Sequence, residues 1–96
     1  MNQFENERTI TLAVALHYDE VNAPRVVAKG SDEIAQRIFE IARRHQVPLQ
    51  ENKELVQLLS KVELGDQIPE VLYLAVAEVI AFAYYLRGKV PKQSNN

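Results

Sequence analysis

At 96 residues the chain has room for one small domain, which excludes a two-domain enzyme. With 47% hydrophobic and 25% charged residues it has the composition of a folded globular domain, and a net charge of -2 argues against work on phosphates, so nucleic acid is not an expected partner. The absence of cysteine removes disulfides, thiolate nucleophiles and Cys-based metal sites.

The first residues, Met1 to Glu7, are polar and acidic without an apolar stretch, so residues 1–8 read as a flexible N-terminus with no secretory signal, and the expected compartment is the cytoplasm. From Ile10 to Tyr18 the larger apolar residues Ile10, Leu12, Val14, Leu16 and Tyr18 alternate with Thr11, Ala13, Ala15 and His17. A period of two with two apolar or small faces predicts an inner strand covered on both sides. Asp19 to Pro24 has turn composition, and Arg25-Val26-Val27-Ala28 after it predicts a second strand pairing as an antiparallel hairpin.

Gly30-Ser31 before Asp32-Glu33 predicts a helix to about Arg44, with Ser31 as a hydroxyl cap and Ile34, Ile38 and Ile41 as its apolar stripe. The run Gln46 to Gln50 reads as a short extended segment at a sheet edge, because Pro48 cannot donate to a ladder. Asn52 then caps a second helix carrying Leu55, Leu58, Leu59 and Val62, ended by Gly65. Pro69 opens a third helix, Glu70 to about Arg87, apolar almost all round and therefore expected at the centre of the core. Its apolar part, Val71 to Leu86 with Glu78 inside, is short for a bilayer crossing, so the chain is not expected to be membrane-embedded. Residues 88–96 read as a disordered tail. The order strand, strand, helix, strand, helix, helix predicts an α/β fold: a small three-layer sandwich of three helices around a mixed sheet of three to four strands.

Little in the chain advertises chemistry. The three glycines stand apart at 30, 65 and 88, so neither a dinucleotide loop nor a P-loop can be built, and no cofactor is expected. His17 and His45 have no acid in helical register, so no metal site is expected. Ser31 reads as a cap and Ser94 lies in the tail, so neither is supported as a serine nucleophile. Glu78 is the odd residue: buried, it would be a raised-pKa proton donor, but a hydrogen-bonded or outward-looking Glu78 is the plainer reading. Arg25, Lys29, Arg37, Arg43 and Arg44 are compatible with a basic patch or with ordinary surface charge.

Ala13-Val14-Ala15-Leu16-His17-Tyr18-Asp19-Glu20, Ala23-Pro24-Arg25-Val26-Val27-Ala28-Lys29-Gly30, Val47-Pro48, and Gln67-Ile68-Pro69 with Leu72 to Val79 resemble the cytoplasmic domain of the FlhB/YscU/SpaS family. These are switch proteins of flagellar and type III export, and the resemblance runs over about residues 9–87. It implies a domain that cleaves itself at an Asn-Pro-Thr-His loop, where the Asn amide nitrogen attacks its own carbonyl carbon. Aligning Ala13 to Leu16 places that loop on Arg8, Thr9, Ile10 and Thr11, none of which matches, and Asn22 is followed by Ala23 rather than proline. The resemblance therefore implies a stand-alone relative that does not cleave itself, resembling the fragment left after cleavage. It also implies a partner-binding surface at the Pro24 to Gly30 loop, with Pro24, Arg25 and Lys29 as candidates.

The leading expectation is a non-enzymatic interaction module of the export apparatus, binding substrates, chaperones or gate components. It would stand in for or modulate the cleaved C-terminal part of the switch, and docking at a membrane export gate stays open. The alternatives are a soluble adaptor that kept the fold but left secretion, and a small enzyme using Glu78. An exposed apolar patch with a basic rim favours the first reading, and a closed polar pocket around Glu78 the last.

Overall fold

A computed structural model of the protein describes residues 9–88. Strands β1 (Leu12–His17) and β2 (Arg25–Ser31) form an antiparallel hairpin, followed by helix α1 (Glu33–Arg44), helix α2 (Lys53–Leu59), a 3-10 turn at Glu70–Leu72 and helix α3 (Tyr73–Leu86). The alternation of β1 divides its side chains between two layers. Val14 and Leu16 pack with Leu55 and Leu59 of α2, Ile68, Leu72, and Val76 of α3. Ala13 pairs with Gly30, whose missing side chain would point at Ile34 of α1, so the small residues face the other layer. The register shifts after Ala15, which faces Ala28 while Leu16 faces Val26; Val27 is thus the extra residue of a bulge and is exposed.

The helix ends show how local chemistry sets these boundaries. Asn52 caps α2 as its side-chain oxygen accepts from the Leu55 amide at 3.0 Å. Ser31 does not cap α1, because it is the last residue of β2; the cap position belongs to Asp32, at φ 53. Asp32 ties the start of α1 to the chain before β1, its amide donating to the Thr11 carbonyl at 2.8 Å and its Oδ1 accepting from the Thr11 amide at 3.3 Å.

Three further sequence expectations are corrected. The segment Gln46 to Gln50 forms no strand, so among the described residues the sheet has two strands rather than three or four. The reason is the end of α1: the Gln46 and Val47 amides donate back to the carbonyls of Arg43 (3.1 Å) and Ala42 (2.8 Å), with Gln46 at φ 59. This Schellman turn curls the chain away from the sheet, and Pro48 has no amide to offer. The edge of β2 is lined instead by residues 65–68, through one bridge between Arg25 and Gln67 and a bond from the Val26 amide to the Asp66 carbonyl (3.0 Å).

The apolar stripe of α1 is also displaced: Ala35 and Ala42 are buried, whereas Ile34 and Ile41 are largely exposed. The sheet surface opposite is made of Ala13, Ala15, Ala28 and Gly30, shallow enough for alanines to bring the helix close. Finally, α3 is not the centre of the core, since Val76 is its one buried residue. A two-stranded sheet and a helix of about two turns can cover only one side of it. The expected flexible N-terminus (residues 1–8) and all of the expected tail beyond Gly88 lie outside the described residues.

Candidate interaction groove

The loop between β1 and β2 is built around Asp19. Its Oδ1 accepts from the amides of Val21 (2.9 Å) and Asn22 (2.8 Å), and its Oδ2 from the Asn22 side chain (3.2 Å). These donors, led by the Asn22 amide, hold the Asp19 carboxyl down at about 2. Glu20 is forced to φ 71, a conformation that L residues adopt at a cost, and its carboxylate accepts from the hydroxyl of Tyr84 on α3. That bond, to a carboxylate, raises the Tyr84 phenol to about 12. At the other end of the loop the Pro24 carbonyl accepts from the Ile68 amide at 2.9 Å. The loop is fastened at both ends to the segment that carries α3.

Between this loop and the first turns of α3 lies an open groove of about 320 Å³. Tyr18, Val21, Asn22, Ala23 and Pro24 form one wall; Ile68, Tyr73, Val76, Ala77 and Ile80 form the other. None of these residues is charged, and the polar groups among them are two tyrosines and one asparagine. Such a trough has the chemistry to hold a short apolar segment, with hydroxyls and an amide at its margins for a backbone.

Of the residues singled out from the sequence, Pro24 lines this groove and the two bases do not. The Arg25 guanidinium donates to the Gly65 carbonyl at 3.0 Å. The Lys29 ammonium donates to the carbonyls of Ser60 (3.0 Å) and Val62 (2.7 Å), just beyond the C-terminus of α2. It satisfies carbonyls that the helix end leaves open. Arg8 lies outside the described residues, while Thr9 and Ile10 are exposed and Thr11 is bound to Asp32.

Glu78 is exposed on α3 and lines neither the groove nor the open depression beside His45, Gln46, Val47, Pro48, Leu86 and Arg87. Among the described residues no cluster of three or more His, Asp or Glu is placed to hold a metal ion, and no helix is long and apolar enough to cross a membrane. Sequence reasoning missed Tyr18, Tyr73, Ala77 and Ile80 as groove residues, and the Glu20 to Tyr84 tether. The one available signal was Asp19 followed three residues later by Asn22, the pattern of a side-chain-capped turn.

Known proteins resemble this chain in sequence and in fold. The sequence model described as the FlhB HrpN YscU SpaS Family matches residues 10–83. The Bacillus subtilis protein YlqH is 45% identical over 88 residues, covering 90% of this chain and 95% of its own length. Flagellar biosynthetic protein FlhB of Salmonella typhimurium is 46% identical over 93 residues, covering 88% of this chain but 24% of its own, so the chain spans about a quarter of that relative. The crystal structure of the cytoplasmic domain of FlhB from Shewanella putrefaciens superposes with a TM-score of 0.71 at 34% identity, covering 88% of this chain and 71% of that one.

Proposed function

Because the chain belongs to the FlhB/HrpN/YscU/SpaS family, we propose that it is a non-enzymatic interaction module of the flagellar or type III export apparatus. In this reading it stands in for, or modulates, the C-terminal part of the export switch and takes a short apolar segment of an exported protein or its chaperone. The observation that carries the reading is the uncharged groove between the Pro24 loop and α3, which lies inside the matched region. Its walls are pre-set by the Asp19 turn and the Tyr84 tether, so little ordering cost falls on binding.

Self-cleavage has no place in this function. None of the four prolines follows an asparagine, so the Asn-Pro peptide that cyclisation requires is missing from the chain. Attachment to an export gate at the cytoplasmic face would use the sheet. Among the described residues β1 pairs with β2 alone, and its second edge offers backbone donors and acceptors to a strand of the parent protein.

The test is complementation in a flagellated strain whose FlhB ends before its cytoplasmic domain. The chain should restore part of motility, increasingly with expression level, because no tether supplies a high effective concentration. Ala77→Arg places a charge on the exposed wall of the groove and should abolish the rescue while leaving the fold intact. A folded, abundant chain that gives no rescue at any level would sink the proposal and leave an adaptor outside secretion.

A further inference from the structure

The outer side of α3, turned away from both the core and the groove, has a pattern of its own. Continuing from the 3-10 turn, Val71, Leu74, Glu78, Ala81 and Tyr85 recur at alternating steps of three and four, the spacing of a coiled-coil seam. These side chains are open: Val71 is 84% exposed, Leu74 76% and Tyr85 69%. Glu78 stands in the middle of the seam, exposed, and no hydrogen bond or ion pair within the described residues engages its carboxylate.

Apolar side chains left open on both sides of this acid, Val71 and Leu74 before it and Tyr85 after it, mark a contact surface on a small domain. Among the described residues no other element covers these side chains, which remain open along the length of α3. The central acid then discriminates among occupants. A second copy laid along the same seam, parallel in register or antiparallel about residue 78, would bring Glu78 against Glu78 in a desolvated layer, where like charges repel. A lipid surface is a poor match as well, because interfacial helices flank their apolar face with bases and no Lys or Arg occurs between Glu70 and Leu86.

We propose that the outer side of α3 docks a helix of another protein, one with a matching three-four apolar repeat and a single Lys or Arg that meets Glu78. The seam provides the packing, and the Glu78 carboxylate sets register and partner choice, as a lone polar core residue does in a coiled coil. Three of the groove residues of α3, Tyr73, Val76 and Ile80, lie off the seam and Ala77 flanks it beside Glu78, so most of the groove is separate from this surface.

The chain supplies its own defined probe: the Glu78→Lys variant carries the same seam with a base at its centre. In sedimentation equilibrium at neutral pH, wild type and Glu78→Lys should each stay monomeric, while their equimolar mixture forms a one-to-one dimer roughly tenfold tighter or more. The mixed dimer should vanish when both chains carry Leu74→Ser and Tyr85→Ser, and should persist when they carry the groove substitution Tyr73→Ser, which lies off the seam and separates this result from the fate of the groove. Circular dichroism on each variant confirms the fold. Three outcomes overturn the proposal: a mixture that remains monomeric, wild type that dimerises as tightly as the mixture, or seam-dependent flotation of wild type with phosphatidylcholine–phosphatidylglycerol vesicles.

Discussion

Gln46 holds the left-handed conformation that ends α1, with φ 59, at the position where helices favour glycine. Its side chain gains nothing from that geometry, whereas the Schellman bonds it closes come from backbone. Gln46→Gly should therefore stabilise the domain by about 0.5–1 kcal/mol, read as a higher midpoint in urea with an unchanged slope. An unchanged or lower midpoint would show that the positive φ carries no cost there. The hairpin loop makes a second prediction, in pH. The Asp19 carboxyl lies at about 2, below its ordinary 3.8, so the stability it contributes is complete above that ordinary value and is lost as pH falls through about 2. Tyr84, raised from 10.0 to about 12, works in the opposite direction: its contribution is complete below 10.0 and is lost as pH rises through about 12. Carboxyl carbon shifts of Asp19 should titrate near 2, with the Val21 and Asn22 amides following in the same window; a midpoint near 3.8 would mean that the turn does not hold in solution. At this scale the sequence was legible where partners are near neighbours, as at Asn52 and Leu55. Lys29 shows the limit, because its two carbonyls lie more than thirty positions along the chain and nothing local announces them.

Among the elements, α1 and the hairpin depend on each other through small residues. A Cβ on Gly30 would lie 2.1 Å from Cγ2 and 2.7 Å from Cβ of Ile34, atoms close to the α1 backbone that cannot swing aside as the end of a long side chain could. Gly30→Ala should push α1 off the sheet where Ala35 and Ala42 are packed, at a cost of about 1–3 kcal/mol. For a domain of this length that corresponds to a fall in Tm of roughly 4–8 °C per kcal/mol, measured by thermal unfolding. A Tm within a degree of wild type would mean that the two layers yield freely. The existence and order of the hairpin and three helices could be read from periodicity and caps, since each pattern is local. Which face of α1 is buried could not, because Ile34 and Ile41 look like a core stripe until the flat alanine and glycine surface of the sheet is known. The missing third strand failed for a related reason: the extended pattern of Gln46 to Gln50 lost to a helix ending that draws the same amides backwards.

For the whole molecule, the distribution of buried apolar surface decides where the fold is strong. Fully burying a valine or leucine contributes about 1.5–3 kcal/mol, and the residues that do so are spread over β2, α2, Ile68 and the start of α3, with Val26 fully buried and Val76 at 1% exposure. Beyond Ile80 the described part of α3 buries no side chain completely, and the Tyr84 hydroxyl links it back to the hairpin through Glu20. Regions with few buried contacts open locally at lower free energy than the core. Hydrogen exchange should accordingly find the Val26 amide, which donates to Asp66, and the amides of α2 opening only with global unfolding. Amides from Phe82 to Leu86 should exchange on the order of a hundredfold faster. Tyr84→Phe removes the tether without removing the ring, so it should speed exchange at the end of α3 and leave Val26 unchanged. Equal protection along α3 and β2 in the free chain would mean that the seam is already covered in solution, and the picture of a free outer face with an unanswered Glu78 would have to be abandoned.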